Sequence, residues 1–326
     1  MQRLGTGADD LALAVRLLEQ GRLVAFPTET VYGLGADARN PVAVRSIFEA
    51  KGRPPDHPVI VHLASFDEVG EWAESVPRAA RALAEAFWPG PLTLILARAN
   101  GVPDVITGGQ DTVGLRVPAH PVAQALLARF GRALVAPSAN RFGRISPTRA
   151  SHVIEEFGDE VAAVIDGGAC AVGVESTIVD LSGPAPRLLR PGMIGRTALE
   201  ACIGVRLQCP ADDEGPRASG RLASHYAPLA PVELVPRERM ADVLERLAKE
   251  GRRVAVLARS PRPHGIVDVA WKRMPARPRD YAHCLYAELR HADRLRPDRI
   301  LVELPPDDPQ WAAVLDRLSR AAARRD

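Results

Sequence analysis

The sequence predicts an α/β protein in two parts: a mixed, twisted sheet with flanking helices over residues 1–207, and a smaller parallel α/β/α domain over 229–326. Three observations predict this. Short apolar runs of strand length (23–26, 59–61, 92–96, 113–117 and 134–136) mix with amphipathic helical stretches, without the strict alternation of a purely parallel sheet. Beyond residue 231, strands and helices do alternate regularly. Between the two, residues 208–228 are rich in Pro, Asp, Gly and Ser and have no periodicity, which reads as an interdomain linker.

The composition agrees. A chain of 326 residues with 46% apolar and 25% charged side chains has room for two cores and is neither disordered nor membrane-like. No segment approaches the roughly 20 apolar residues of a membrane span, and the N-terminus lacks the pattern of a secretory leader. The expected location is the cytoplasm. A net charge of +2 demands no polyanionic partner, so any phosphate binding must come from local basic clusters. Cys170, Cys202, Cys209 and Cys284 form no C-x-x-C pair, so reduced thiols are expected and no metal site is.

Taken in order, Asp9 or Asp10 is expected to cap a helix with Leu11, Val15 and Leu18 on one face and Gly21 at its end. The strand at 23–26 runs through Pro27 into Thr28-Glu29-Thr30. The carboxyl end of a parallel strand is where ligands bind in open α/β sheets, although a capped turn explains those side chains as well. Gly33 and Gly35 follow, and either could take positive φ or admit a ligand. Pro41 starts a helix with Val44, Ile47 and Phe48 inward, ending before Lys51-Gly52-Arg53. The strand at 59–61 ends at His62. Helices are expected at 66–74, 77–87, 121–130 and 148–157, and strands at 92–96, 113–117, 134–136 and 161–165. Residues 177–180 and 187–190 read as a strand pair closed by Pro191-Gly192. In the tail, strands at 232–235, 253–257 and 300–304 and helices at 238–249, 281–292 and 311–322 suggest a Rossmann-like arrangement. It has neither G-x-G-x-x-G nor a P-loop to mark a nucleotide site.

Polar residues in loops after these strands could converge on one crevice. Lys51 and Arg53 around Gly52 suit a phosphate chain, although alone such a pair is more often a solvated helix end. Arg116 sits inside an apolar strand and needs an anion, which could be a protein carboxylate or a ligand's. Ser138-Ala139-Asn140 could bind a ligand or cap a turn, and His62 is open to either a structural or a proton-transfer role. His57 and His62 alone are weak evidence for a metal.

PTETVYGLGADA (27–38), KGRP (51–54), the strand ending in His62, SAN (138–140) with SPT (146–148), ESTIVD (175–180) and RPG (190–192) occur in an order and spacing that resemble the YrdC-type threonylcarbamoyl-AMP synthases. Ser224-His225-Tyr226-Ala227-Pro228 resembles the linker of the family's long form, which carries an additional C-terminal domain. The resemblance implies a YrdC-like catalytic domain and a nucleotidyltransferase using L-threonine, bicarbonate and ATP, with magnesium accompanying the ATP. It implies that downstream tRNA threonylcarbamoyl transferase machinery consumes the adenylate. Carried over by motif, Thr30, His62, Arg116, Ser138 and Ser176 would hold L-threonine. Arg53, His57, Thr112, Asn140, Ser146, Thr148, Arg190 and Tyr226 would meet ATP, and Lys51 and Arg53 would be catalytic. His57 stands where the family usually has asparagine, and Ala218-Ser219-Gly220-Arg221-Leu222 departs from its linker pattern. The competing class is an RNA-binding module of the same fold without adenylyl transfer. The scattered Arg141, Arg144 and Arg149, without interleaved aromatics, offer only weak tRNA binding.

Overall fold

The computed structural model describes residues 1–211, 214–221, 225–265 and 269–323. They form two compact units, Met1–Phe142 with Ser146–Arg221, and Gly143–Ile145 with Leu222–Asp326. The division falls inside the segment read as linker, whose part up to Arg221 groups with the first unit. Leu222 and Ser224 of the linker motifs lie outside the described residues.

In the first unit the strands are β1 (Gln2–Leu4), β2 (Val24–Phe26), β3 (Gly33–Asp37), β4 (Ile60–His62), β5 (Leu92–Ala97), β6 (Thr112–Arg116), β7 (Leu134–Val135), β8 (Ala163–Ile165), β9 (Thr177–Asp180) and β10 (Arg187–Arg190). They form one sheet in the order β1-β8-β2-β3-β7-β4-β6-β5-β9-β10. Strand β2 runs parallel to β8 and antiparallel to β3, and β4 runs parallel to β6 and antiparallel to β7. The sheet is therefore mixed, as expected. Its helices are α1 (Ala8–Glu19), α2 (Pro41–Lys51), α3 (Arg78–Phe87), α4 (Asp104–Thr107), α5 (Pro121–Phe130), α6 (Ala150–Phe157) and α7 (Arg196–Ile203).

Alternation along β2 explains why its apolar run is continuous. Val24 and Phe26 join Leu11 and Leu18 of α1 and Leu126 of α5 in one cluster, while Ala25 joins Val44 and Ile47 of α2 in another. A strand covered on both faces has no place for a polar residue.

Several local expectations need correction. Helix α1 is preceded by Gly7 with no side-chain cap, and Asp9 and Asp10 lie within its first turn, where they complement the helix dipole instead. Gly33 and Gly35 lie in β3 and are absent from the positive-φ residues. A Cβ at Gly35 would stand 2.8 Å from Phe26 Cε1 and 3.0 Å from the Val24 carbonyl, so the close neighbour is the protein's own ring. Helix α6 starts at Ala150, which leaves Thr148 in the preceding loop.

Helix α2 is sharply bounded. The Asn40 side chain accepts from the Val42 and Ala43 amides, Pro41 fills the first turn, and Gly52 ends the helix at φ 59°. That delivers Lys51 and Arg53 to one end of the sheet. His62 and Arg116 end β4 and β6 as direct neighbours. Because β5 is antiparallel to β6 and parallel to β9, the beginnings of β5 and β9 meet the end of β6.

The second unit holds β11 (Val232–Val235), α8 (Met240–Lys249), β12 (Val254–Ala258), β13 (Ala270–Arg273), α9 (Pro278–Arg294), β14 (Arg299–Glu303) and α10 (Ala312–Ala322). Its strands are all parallel in the order β11-β14-β12-β13. Val235, Val256 and Leu301 meet Leu244 and Leu247 of α8 on one face. Tyr226 belongs to this unit. It takes φ 61°, stacks on Tyr286 at 5.7 Å and lies under the Arg317 guanidinium.

Gly35→Ala forces a methyl into the Phe26 ring and should cost about 1–3 kcal/mol. The expected outcome is a lower urea midpoint with an unchanged slope.

Candidate active site

Most of the predicted residues of the first unit lie in loops tied together near the end of the sheet where His62 and Arg116 finish β4 and β6, whereas Thr112 begins β6 opposite Ala97. Lys51 is 3% exposed, and its Nζ donates to the Ser138 carbonyl at 2.6 Å and to the Asn140 carbonyl. The tip of α2 thus holds the SAN loop. Burial, then Arg53, pulls the Lys51 pKa well below its ordinary value, whereas Glu156 favours the ammonium. The loop is tied to the PTET segment as well. Ala139 N donates to the Tyr32 carbonyl, Tyr32 N donates to Pro147, and Gly33 bridges to Ser138.

Within PTET, the Thr28 hydroxyl donates to the Val31 carbonyl, accepts from the Thr30 amide and lies 2.8 Å from the Thr30 hydroxyl. The capped-turn reading holds for Thr28. Thr30 is fully buried, and its carbonyl accepts from Gly173 N.

Arg116 finds a protein carboxylate. Its Nη2 donates to Glu29 Oε1 at 2.7 Å and its Nε to the Gly90 carbonyl at 3.3 Å. Glu29 Oε2 accepts the Ala119 amide at 3.0 Å. Arg116 Nη1 makes no hydrogen bond with the described residues, so that part of the fork remains for a ligand. His62 Nδ1 lies 3.3 Å from the Ile60 carbonyl, and Phe26 meets its ring edge-on. Burial and Arg116 push the His62 pKa down to about 3, so the ring is neutral at pH 7.

On the other side of β6, the Ser176 hydroxyl lies 2.8 Å from the Thr93 hydroxyl and accepts from Arg190 Nη2 at 3.0 Å. Arg190 Nε donates to the Ser176 carbonyl, and Nη1 donates to the Ser219 carbonyl at 2.8 Å. Arg53 Nη2 donates to Pro58 O at 2.7 Å and to Ser219 Oγ at 3.2 Å. One residue of the segment read as linker therefore bridges two buried guanidinium groups. Thr112 lines a recess with Pro58, Thr93, Gly114, Ile178 and Ser219. Gly192 lets the RPG turn press on this network, since a Cβ there would stand 2.4 Å from Thr177 N.

The remaining predicted residues sit close by. His57 packs edge-on against Phe142, and burial, then Arg53, lowers its pKa. Asn140 Nδ2 donates to the Arg141 carbonyl. Ser146 Oγ donates to the buried Glu175 at 2.5 Å, and Thr148 N meets His152 Nδ1 at 3.3 Å. Tyr226 belongs to the second unit.

Sequence reasoning missed Glu29, Thr93, Glu175 and Ser219 as parts of the network. For Glu29 a signal existed, namely an acidic residue in a segment of buried character and an arginine alone in an apolar strand. Ser219 gave none.

The buried cations, hydroxyls and neutral imidazole that these loops carry suit a site that grips anions and positions reactants. Comparison with known proteins gives that class a family. A family model described as Telomere recombination matches residues 16–192, and another described as Threonylcarbamoyl-AMP synthase, C-terminal domain matches 194–323. Threonylcarbamoyl-AMP synthase of Pyrococcus abyssi is 42% identical over 97% of this chain and 94% of its own length, and that of Bacillus subtilis is 39% identical over 99% and 95%. The crystal structure of P. abyssi Sua5 complexed with L-threonine superposes with a TM-score of 0.91 at 40% identity, covering 98% of this chain and 97% of the other. The chain belongs to the threonylcarbamoyl-AMP synthase family, as the motifs imply, and is an adenylate-forming enzyme of the nucleotidyltransferase type. These comparisons favour that function over an RNA-binding module. No helix among the described residues is long and apolar enough to cross a membrane.

The depressed His62 pKa has a consequence for stability. Below pH 6.5 the unfolded chain takes up a proton that the folded one refuses until about pH 3. His62 therefore costs nothing above 6.5 and destabilises the fold progressively as pH falls through that window. Urea midpoints followed across it should fall less steeply for His62→Gln than for the unsubstituted protein.

Proposed function

We propose that the first unit joins L-threonine, bicarbonate and ATP into L-threonylcarbamoyl-adenylate with release of pyrophosphate. The observation that carries this reading is the convergence of Arg53 and Arg190 on the oxygens of Ser219. Two buried guanidinium groups aimed at one pair of oxygens can serve a triphosphate the same way.

Threonine would lie against Thr30, His62, Arg116, Ser138 and Ser176, its carboxylate on Arg116 Nη1. ATP would meet Arg53, His57, Thr112, Asn140, Ser146, Thr148 and Arg190. The threonine amine forms a C–N bond to the bicarbonate carbon as one C–O bond breaks, giving a carbamate and a molecule of water. A carbamate oxygen attacks the α-phosphorus, the α–β bridging bond breaks, and pyrophosphate leaves with that electron pair. No side-chain nucleophile is needed. The residues contribute positioning and stabilisation of developing charge. Arg53 offsets phosphate charge directly. Lys51 acts by fixing the SAN loop.

Magnesium would enter with the triphosphate. The phosphate oxygens would carry the ion. The Ser219 segment would shift aside as the triphosphate displaces its oxygens from the arginines. The adenylate would pass to a tRNA threonylcarbamoyl transferase machinery in the cytoplasm, with at most weak direct binding of tRNA.

Pyrophosphate release should require threonine and bicarbonate together, and mass spectrometry should detect the adenylate. Release without bicarbonate would count against the reading. Arg190→Ala should lower kcat/KM for ATP by about 10²–10³-fold, as expected for one lost charge-stabilising donor.

A further inference from the structure

PTET contains a carboxylate to which the substrate roles above give no part. Glu29 is 8% exposed and Arg116 is 4% exposed. The two are joined at 2.7 Å, with both side chains almost wholly out of water. A buried pair of this kind does not by itself stabilise a fold, so what it does to Arg116 is the more informative question.

Two contacts fix the guanidinium and a third anchors its partner. Glu29 Oε1 accepts from Nη2, the Gly90 carbonyl accepts from Nε, and Glu29 is itself anchored because Oε2 accepts the Ala119 amide. Ala119 lies just beyond β6, so one carboxylate grips both the arginine ending that strand and the turn after it. The backbone holds Glu29 too, since its carbonyl accepts the Val172 amide. Nη1 is thereby left without a protein partner among the described residues and in a single orientation. A planar fork recognises a carboxylate only when its donors are aimed.

We propose that Glu29 is a positioning residue: it spends one edge of the Arg116 guanidinium to aim the other at the carboxylate of the amino-acid substrate. This rests on the reading that Arg116 holds that carboxylate. Glu29 also cancels the Arg116 charge, so the pocket selects by direction and not by net positive field. An anion of other geometry therefore gains little there.

The test is Glu29→Gln in the full-length chain. The amide can keep the bond to Nη2, but its NH2 opposes the Ala119 N–H and the anchor is lost. The expected result is a rise of tenfold or more in the KM for threonine, with the KM for ATP within twofold. The inhibition constant of L-threoninol, which lacks the carboxylate, should stay within twofold. An unchanged threonine KM would overturn the proposal, and so would equal weakening of threonine and threoninol, which would mark general damage. If Glu29→Gln does not fold, Arg116→Met is compared with Glu29→Gln/Arg116→Met, in which no buried charge is left alone. A residue acting only through Arg116 predicts the same threonine affinity for both, and a further loss in the double variant would overturn the proposal. Failure of the unsubstituted protein to need threonine for pyrophosphate release would instead overturn the assignment of the reaction.

Discussion

Keeping positive charge out of water is the constraint on which the first unit depends. Lys51, Arg53, Arg116 and Arg190 are each less than a tenth exposed, and each would be costly to bury without compensation. The fold compensates with carbonyl oxygens from Ser138, Asn140, Pro58, Gly90, Ser176 and Ser219, and with the Glu29 carboxylate. Those acceptors lie on loops far apart in the chain. The cations therefore knit the loops together while remaining ready for an anion. Removal of Arg116 alone would leave the Glu29 carboxylate buried and unpaired, a loss of about 3–5 kcal/mol in comparable pairs. Substitutions there test stability and binding together.

The mixed sheet is what makes this knitting possible. Parallel pairing of β4 with β6 puts His62 beside Arg116, and antiparallel pairing of β5 with β6 returns Gly90 to the same end. A purely parallel sheet would send the start of β5 to the opposite end of the strands. The irregular order of strands and helices, unremarkable as a sequence pattern, is thus a requirement of the site.

Much of the site was legible because its residues sit in short motifs bounded by Gly and Pro, whose local chemistry is strong. Helix α2, with Asn40, Pro41 and Gly52 at its ends, is one example, and the strand pair β9–β10 is another. Strand β3 was not legible. Its two glycines have poor intrinsic strand preference, and pairing with β2 and β7 decides its conformation. Strand β1 and helix α4 are three and four residues long, too short to show periodicity. The partnership of Arg116 with Glu29 spans 87 positions, and the bridge of Ser219 to Arg190 spans 29. Neither leaves a local trace.

The Phe26 ring touches the space above Gly33 and Gly35 and also meets the His62 imidazole in an edge-on contact at 6.2 Å. A phenyl group is stiff, so bulk added on the glycine side is relayed and not absorbed. The emptiness at two positions of an apolar strand thereby becomes part of how the imidazole is seated.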